Sequence, residues 1–463
     1  MRLYNTASKE IEEVASSDSN DVKTYCCGPT VYDFAHLGNL RTFILYDVLR
    51  RVLIYNGFRV KQVMNITDVD DKTIKNAKAR GMGLKEYTDI YTRAFFEDMR
   101  KLNISQFERY PRATENIENI KAMIDGLKRK GYAYAAEDGV YYSILKFDGY
   151  GKLSGATFEN RQSRIGNDEY NKDNAADFAL WKGWTEEDGD VYWDKDMPKG
   201  RPGWHIECSA MALESLGETV DIHCGAVDLI FPHNENEVAQ SEAFTGKKFV
   251  RHWLHGEHLL VDGKKMSKSL HNFYTLRDLE KLGFDPLSFR LFMLDSHYRT
   301  KVNFTLETLK KYEKTLDDID ITIKSFHSTP KITGLEREMD SAEELEEFKN
   351  AINDDLDTHD ALIIFFKLIE RVNSHIKNGK VDELFYNEAM DAINKMNSVF
   401  GIVEDYQIPD VVIKLAEKRK AARARNDWGE ADKIRSDIKE TGFKIVDLKD
   451  LNCAIVKNRG YGN

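Results

Sequence analysis

The sequence predicts an α/β protein in which one parallel sheet is split by an insertion and is followed by a bundle of helices. Three observations predict this fold. Strands alternate with an amphipathic helix near the start, the pattern loosens between residues 111 and 200, and charged helical segments dominate after about residue 300. A chain of 463 residues is also longer than one hydrophobic core usually serves, so we expect several domains.

Composition and charge exclude several classes of protein. With 41% hydrophobic and 31% charged residues, the chain has enough apolar material for folded cores. Neither a secretion signal nor a stretch of roughly 18 apolar residues is present, so we expect a cytoplasmic protein with no membrane partner. The net charge of −11 argues against nucleic-acid binding over the whole surface, although a predicted basic helix, KLAEKRKAARARNDW, allows a local patch.

Residues 23–66 contain a strand, a helix and a second strand. KTYCCGPTVY is β-rich, and large aliphatic residues then recur at every fourth position from Leu40 to Val52, until Asn56 and Gly57 end the helix. VKQVMNI follows as a strand. A βαβ unit of this kind has a right-handed crossover and binds ligands at the carboxyl ends of its strands. It predicts a Rossmann-type nucleotide-binding domain.

The rest of the chain completes and extends this domain. The insertion is expected to contain a helix, a β-rich piece (AYAAEDGVYYSI) and polar turns, before GRPGWHIECSAMALESLG resumes a strand-to-helix transition. We therefore predict a split Rossmann-type nucleotide-binding domain with a parallel sheet, a C-terminal helical bundle and a small final module with a β-rich tail. The predicted boundaries are 1–110 and 201–250 for the two halves, 111–200 for a connective insertion, 251–305 for the region of the KMSKS loop, 306–403 for the bundle and 404–463 for the module.

Two polar motifs are candidates for nucleotide binding. His36, Gly38 and Asn39 lie where the first strand leads into the first helix, and backbone N–H groups there favour a phosphate. Lys265 and Lys268 lie in a polar loop, where ammonium groups can neutralise charge on a transferring phosphate. Alone, the first motif is also explained by a helix-capping turn and the second by an exposed basic turn. Their placement in the two halves of one sheet favours the catalytic interpretation.

Four residues form a candidate metal site. His233 and Glu237 are four apart in a helix expected to begin near the preceding proline, so their side chains share one face. Cys27 ends the first strand, and Cys208 lies on the helix of another strand-to-helix turn. Two sulfurs, one nitrogen and one oxygen form a tetrahedral set that Zn²⁺ accepts. Adjacent Cys26 points to the opposite face of its strand and is expected to pack; any of the four alone is also explained as a buried thiol or a capping group.

The motifs together resemble a known family. HLGN and KMSKS resemble the HIGH and KMSKS signatures of class I aminoacyl-tRNA synthetases. CGPTVYDFAHLGN, NITDVDDK, GRPGWHIECSAM, FPHNENEVAQSE and KMSKSLHNF resemble the cysteinyl-tRNA synthetase family over essentially the full length. The resemblance implies a monomer that activates cysteine with ATP and Mg²⁺ to cysteinyl-adenylate and transfers cysteine to the 3′ end of tRNA(Cys).

The resemblance assigns one zinc ion per chain to Cys27, Cys208, His233 and Glu237. Zinc prefers sulfur to a hydroxyl oxygen, whereas apolar contacts separate substrates that differ by one small group by only about 1–3 kcal/mol. The ion would therefore select cysteine over serine, and an editing reaction would be unnecessary.

Catalytic and binding roles follow from the same resemblance. His36, Asn39, Lys265 and Lys268 would be catalytic, and His36, Gly38, Asn39 and Lys268 would bind ATP. Gly28, Thr67, Trp204 and Asp228 would line the amino-acid pocket, with Asp228 facing the α-ammonium group. Arg423, Trp428 and Asp432 would contact the tRNA anticodon. The alternative is a core or capping role for the pocket residues and a solvated helix face for the last three.

The chain departs from the family pattern at a few positions. Asn39 replaces the last His of HIGH, although an amide can still donate to a phosphate. Where family members commonly have HGGG, this chain has His223, Cys224, Gly225 and Ala226, which places a thiol near the expected metal site. Asn234 and His271 replace a common His and Gly.

Two other functions remain as alternatives. A cysteine ligase of the mycothiol pathway would share the zinc and ATP motifs, but the long helical bundle and the basic C-terminal module count against it. A catalytically silent tRNA-binding paralogue is disfavoured because His36, Lys265 and Lys268 are intact.

Overall fold

The computed structural model describes residues 1–14, 20–155, 177–266, 272–333 and 341–459. Lys268 and His271 lie outside these ranges, so their expected roles stay predictions. The chain divides into two compact units, the first made of Met1–Arg100 and Ser105–His258 and the second of Lys101–Ile104 and Leu259–Asn463. Within the described residues, no helix is both long and apolar enough to cross a bilayer.

The first unit contains ten strands and six helices in the part that the structure describes. In chain order they are β1 (Arg2–Asn5), β2 (Glu10–Glu13), β3 (Asp21–Cys26), α1 (Leu37–Tyr55), β4 (Arg59–Met64), α2 (Asp71–Ala79), α3 (Leu84–Lys101), α4 (Ile117–Arg129), β5 (Ala133–Ala136), β6 (Gly139–Tyr142), β7 (Phe178–Gly183), β8 (Gly200–Pro202), α5 (Trp204–Leu216), β9 (Val220–Ala226), α6 (Glu235–Thr245) and β10 (Val250–Gly256).

The central sheet of this unit has the strand order β10-β9-β3-β4, and all its strands are parallel. Two of these strands precede the insertion and two follow it, which confirms the predicted split α/β fold. Within the insertion, β5 to β8 form a separate antiparallel sheet. Because parallel strands end at the same edge, the residues that follow β3, β4 and β9 are brought together there.

The first helix begins and ends where the sequence predicts. His36 caps α1 by accepting a hydrogen bond from the backbone N–H of Asn39, and the Asn39 side chain accepts one from the backbone N–H of His36. At the other end, Asn56 is the cap and Gly57 adopts a φ of 82°, a left-handed conformation that favours glycine.

The second unit is mostly helical. Its elements are β11 (Leu259–Val261), β12 (Lys264–Lys265), α7 (Leu276–Lys281), α8 (Pro286–Leu294), β13 (Val302–Phe304), α9 (Leu306–Ser328), β14 (Lys331–Ile332), α10 (Ser341–Asn353), α11 (Thr358–Ile376), β15 (Val381–Asp382), α12 (Glu383–Phe400), α13 (Asp410–Ala424), α14 (Trp428–Glu440), β16 (Phe443–Asp447) and β17 (Cys453–Lys457). The predicted helical bundle and β-rich tail are both present, and β16 pairs with β17 as an antiparallel hairpin.

The basic helix ends earlier than the sequence predicts. KLAEKRKAARARNDW was expected to be one helix, but α13 ends at Ala424 and Trp428 begins α14. Asn426 has a φ of 60°, and the side chain of Asp427 accepts a hydrogen bond from the backbone N–H of Glu430. A left-handed residue followed by an N-cap ends one helix and starts another.

Candidate metal and amino-acid site

The four predicted metal ligands converge at the carboxyl edge of the parallel sheet. Cys27 directly follows β3, Cys208 lies on α5, and Glu237 lies in the first turn of α6, four residues after His233. One ligand atom from each residue lies within 4.8 Å of all the others, and all four residues are buried. The fold thus brings together residues that are up to 210 positions apart in the sequence.

The donor set fits a zinc ion. Tetrahedral zinc with bonds of about 2.0–2.3 Å places its ligand atoms roughly 3.3–3.8 Å from one another. Nε2 of His233 lies 3.1 Å from Oε1 of Glu237, and Sγ of Cys27 lies 3.9 Å from the same oxygen. Small shifts of these atoms therefore suffice to surround an ion.

The turn that carries His233 begins where the sequence predicts, near Pro232. Phe231 has the extended angles φ −135° and ψ 130° and is the one non-helical residue within Ile230–Asn234, so helical angles run from Pro232 into α6 through a distorted turn. His233 faces the same side as Glu237. The shared face that the spacing predicts is therefore present.

Hydrogen bonds from neighbouring residues fix the Glu237 carboxylate. His223 donates from Nε2 to Oε2 at 2.8 Å, and Asn234 donates from Nδ2 to Oε1 at 2.9 Å. Burial raises the pKa of Glu237, but His223 and His233 outweigh it and hold the pKa well below the usual glutamate value. Glu237 is therefore a carboxylate and ready to bind a cation.

Electrostatics at the other ligands also favour a cation. Burial lowers the pKa of His233, but Glu237 and Cys208 outweigh it and raise the pKa to about 10. Although a hydrogen bond with Cys208 lowers the pKa of Cys27, burial and Glu237 raise it overall. The cluster therefore attracts protons, and a metal ion would take their place and deprotonate the thiols.

Two aromatic residues hold the ring of His233. Nδ1 of His205 lies 2.9 Å from Nδ1 of His233, and burial lowers the pKa of His205 well below the usual histidine value, so neutral His205 can accept a hydrogen bond. Nε2 of His233 is then left to face Glu237. The ring of Trp204 lies 4.3 Å from the ring of His233, with the Trp204 side chain partly open to solvent. Trp204 is a predicted pocket residue, whereas the role of His205, its neighbour in GWHIEC, is not predicted from the sequence.

Cys26 and Cys224 lie apart from the ligand set. They are register partners on β3 and β9, both are fully buried, and the sulfur of Cys26 accepts a hydrogen bond from Gln62 at 3.2 Å. The backbone carbonyl of Cys224 accepts a hydrogen bond from the backbone N–H of Cys27. Cys224 thus supports the strand end that carries Cys27, and its thiol is not among the four grouped ligands.

Two of the predicted pocket residues fix the loops that follow β3 and β4. The backbone N–H of Gly28 donates to Oδ1 of Asn65 at 2.8 Å, and a Cβ at Gly28 would lie only 1.7 Å from the carbonyl oxygen of Asn65. Thr67 is buried, and its backbone bonds to Pro29 and Val31. These contacts make Gly28 and Thr67 structural neighbours beside the ligand Cys27.

Asp228 is the fourth predicted pocket residue. It lies in the short turn Val227–Leu229 that directly follows β9, and its side chain is exposed. Its carboxylate is therefore available to an amino group, as the predicted role requires.

The predicted ATP-binding residues include a helix cap. Nδ1 of His36 accepts the backbone N–H of Asn39 at 3.2 Å, so the capping turn that was one explanation of this motif is present. In the neutral ring the proton is then on Nε2, which remains a donor. Gly38 is partly exposed, and Asn39 is exposed. Capping and phosphate binding are therefore compatible here.

Lys265 belongs to the second unit. It ends β12, where its side chain is exposed, and its backbone carbonyl accepts a hydrogen bond from Asn272. Its predicted partner Lys268 lies outside the described residues.

The three residues predicted to contact the anticodon differ in their surroundings. Arg423 forms an ion pair with Asp447 at 2.5 Å, and Arg419 also binds this carboxylate through two hydrogen bonds. Arg423 therefore helps to hold α13 against the hairpin. Trp428 is the first residue of α14 and 56% exposed, and Asp432 is exposed on the same helix.

Comparison with known proteins identifies the family. A profile described as "tRNA synthetases class I (C) catalytic domain" matches residues 13–314, and one described as "DALR domain" matches residues 347–404. The cysteine–tRNA ligases of Chlamydia felis and Chlamydia caviae are each 45% identical over 96% of this chain and 96% of their own. The cysteine–tRNA ligase of Solibacter usitatus is 43% identical over 97% of this chain and 98% of its own.

A solved structure supports the fold. The methionyl-tRNA synthetase of Mycobacterium tuberculosis in complex with methionyl-adenylate matches with a TM-score of 0.58 and 13% identity, over 83% of this chain and 90% of that chain. At this identity the match shows the fold alone. The curated relatives confirm the resemblance that the motifs predicted, and the chain belongs to the cysteine–tRNA ligase family of class I synthetases.

Proposed function

We propose that this protein is an ATP-dependent cysteine–tRNA ligase that activates cysteine and transfers it to the 3′ end of tRNA(Cys). The observation that carries the proposal is the convergence of Cys27, Cys208, His233 and Glu237 on one point beside Trp204, in a chain of this family. We also propose that it acts as a monomer in the cytoplasm, on the grounds of the family resemblance.

The reaction requires the protein to position its substrates and to stabilise charge. The carboxylate of cysteine attacks the α-phosphorus of ATP, the bond to the β-phosphate oxygen breaks, and pyrophosphate leaves with Mg²⁺. A ribose hydroxyl of the terminal adenosine of tRNA then attacks the adenylate carbonyl and releases AMP. No nucleophilic side chain is needed, because orientation and electrostatic stabilisation supply the rate enhancement.

The metal site supplies substrate selection. A zinc ion held there provides a soft Lewis acid that binds a thiolate in preference to a hydroxyl group. Cys27 and Cys208 provide sulfur ligands, and Glu237 provides an oxygen already fixed by His223 and Asn234. His205 fixes the tautomer of His233. Gly28, Thr67 and Trp204 would form the walls of the pocket, and Asp228 would bind the α-ammonium group.

The phosphate groups of ATP would bind at the start of α1. The Nε2–H of His36, the amide of Asn39 and the N-terminal backbone of the helix supply donors, and Gly38 has no side chain to block the ribose. Lys265 and Lys268 would neutralise charge on the transferring phosphate. Arg423, Trp428 and Asp432 would contact unstacked bases of the tRNA anticodon.

The test is cysteine-dependent exchange between ATP and pyrophosphate, followed by charging of tRNA(Cys). We expect both activities. Cys208→Ser should lose bound zinc and reduce exchange by more than about 100-fold, since a metal ligand matters at least as much as the groups that orient it. Cys453→Ser is the control, because Cys453 lies on β17 in the second unit.

Each outcome has a defined meaning. Exchange without charging would point to a ligase that places cysteine on another acceptor, such as an amino sugar. Absence of both activities would point to a silent tRNA-binding protein. Normal exchange by zinc-free Cys208→Ser protein would refute the role of the metal.

A further inference from the structure

Asn234 is a buried amide at the start of α6, and it does not perform the usual task of asparagine at that position. Asparagine at a helix start commonly caps the helix by accepting a backbone N–H. Here Asn234 has the helical angles φ −70° and ψ −32°, its side chain makes no capping hydrogen bond, and the residue is 0% exposed. Its side chain must therefore be explained by other contacts.

Those contacts connect two metal ligands to a histidine. Nδ2 of Asn234 donates to Oε1 of Glu237 at 2.9 Å and to Sγ of Cys27 at 3.7 Å. Its Oδ1 lies 3.0 Å from Nε2 of His255, and Nδ1 of His255 lies 2.8 Å from the hydroxyl of Thr6. A carboxylate only accepts hydrogen bonds, so the amide nitrogen must face Glu237 and the amide oxygen must accept the Nε2–H of His255.

The backbone leaves room for this arrangement at Gly225. A Cβ at Gly225 would lie 3.3 Å from Oδ1 of Asn234 and 3.3 Å from Cδ2 of His255. Contacts this short would push the two side chains apart. Gly225 on β9 therefore allows Asn234 and His255 to approach within hydrogen-bond distance of each other.

We propose that Asn234 is a positioning residue that directs and partly neutralises two negatively charged ligands of the metal, Glu237 and Cys27. This inference rests on the proposed function. The amide nitrogen has two N–H groups, and their hydrogen bonds to a carboxylate and a thiolate withdraw electron density from both acceptors and fix the direction of their lone pairs. A cation bound there would keep more positive charge for the sulfur of an incoming amino acid. His255, held by Thr6, fixes the orientation of the amide.

The test compares Asn234→Leu with Asn236→Leu. Leucine resembles asparagine in size but has no donor. Asn236 is a matched control, because it is buried on the same helix and its Oδ1 accepts a hydrogen bond from Tyr150. Zinc affinity is measured by competition with a chromophoric chelator, and the Co²⁺-substituted proteins are examined by absorption spectroscopy with and without cysteine.

We expect Asn234→Leu to weaken zinc binding by about 10–100-fold, the usual effect of removing a group that orients a metal ligand. The thiolate-to-cobalt charge-transfer band should move to longer wavelength, because the sulfur of Cys27 loses a hydrogen bond and becomes richer in electrons. Asn236→Leu should keep the affinity and the band of the unchanged protein, even if its thermal stability falls.

Three results decide the matter. Unchanged affinity and an unchanged band in Asn234→Leu would overturn the inference alone, provided that the parent protein binds zinc and activates cysteine. A parent protein that binds no zinc would overturn both this inference and the zinc role. If Asn234→Leu does not fold, Asn234→Ala removes the donor with less steric change and is judged by the same two readouts.

Discussion

At the candidate metal site, several side chains each form a hydrogen bond with a neighbouring residue that fixes their direction. His205 contacts Nδ1 of His233, His223 donates to Glu237, and Asn234 donates to Glu237 and Cys27. A ligand held in this way loses less conformational freedom when a metal ion binds. The site is therefore largely preorganised by two histidines and an amide.

Gly28→Ala tests how closely the backbone must pack beside Cys27. The new methyl group would lie 1.7 Å from the carbonyl oxygen of Asn65, so the loop after β3 must move. We expect zinc affinity and cysteine-dependent ATP–pyrophosphate exchange each to fall by more than about 10-fold, because displaced ligands bind metal poorly. Both are measured on purified protein.

Gly83→Ala is the control for this substitution. A Cβ at Gly83 has no neighbour within 4 Å. Since Gly83 directly precedes α3, stability should change by less than about 1 kcal/mol, with zinc binding and exchange unaffected. If Gly28→Ala and Gly83→Ala have the same zinc affinity and exchange activity, the close approach of Gly28 to Asn65 does not affect either function.

At the scale of single elements, helix α9 contains a buried acid with a pH-dependent effect on stability. Glu313 is 0% exposed and accepts the backbone N–H of Asp285. Burial raises its pKa from 4.5 to about 7. A raised pKa means that the favourable contribution of protonated Glu313 is complete below about pH 4.5 and is lost as the pH rises through about 7.

Glu313→Gln should therefore stabilise α9 at pH 8 and have little effect at pH 5. The rise in pKa corresponds to at most about 3 kcal/mol. Hydrogen exchange of residues 306–328, compared between variant and parent at each pH, measures the effect. Exposed Glu307 in the same helix provides the control Glu307→Gln, for which no pH-dependent difference is expected. Equal protection of parent and Glu313→Gln at pH 8 would contradict the raised pKa.

The start of α14 presents an aromatic side chain to solvent. Trp428 is 56% exposed, and stacking of a base on an aromatic ring is worth about 1–3 kcal/mol. Trp428→Ala should therefore raise the KM for tRNA(Cys) about 5-fold to 100-fold in aminoacylation assays. Cysteine-dependent exchange, which needs no tRNA contact, should not change.

Val411→Ala is a matched control for Trp428→Ala. Val411 is 57% exposed on α13, but it offers no ring for stacking. Its KM for tRNA should stay within about 2-fold of the parent value, since an exposed aliphatic group makes little contribution alone. If the KM of Trp428→Ala is also unchanged, Trp428 is only part of a solvated helix face.

At the scale of the whole molecule, the four proposed metal ligands come from parts of the chain that are distant in sequence. Cys27 precedes the insertion, whereas Cys208, His233 and Glu237 follow it. A metal ion that binds only the folded state at 100 times its Kd stabilises that state by about 2.7 kcal/mol. Because all four ligands belong to the first compact unit, that stabilisation should be confined to it.

Removal of zinc with a chelator should therefore increase hydrogen exchange at the ends of β3 and β9 and at the start of α6. Peptides from the bundle helices α10 to α12 should keep their protection and serve as the internal control. Added Zn²⁺ should restore both protection and cysteine activation, whereas Mg²⁺ should not, because it prefers oxygen ligands. Equal loss of protection in both units would contradict a local role of the ion.

The sequence by itself determined the α/β class, the split sheet, the family and the identity of the four residues that converge. Strand and helix periodicity depend on neighbouring residues, and the motifs of Cys27, Cys208, His233 and Glu237 are recognisable without coordinates. Local signals also defined both ends of α1. Each of these features can be predicted from residues within a few helical turns or one strand.

Only the tertiary structure decided which side chains form hydrogen bonds with the proposed ligands. His205 meets His233 through the packing of α5 near the start of α6, and His223 on β9 lies within hydrogen-bond distance of Glu237 on α6. Arg423, which is predicted to contact RNA, also pairs with Asp447 on the hairpin, a contact that the sequence did not predict. Such pairings depend on contacts between segments far apart in the chain, and residue periodicity does not predict them.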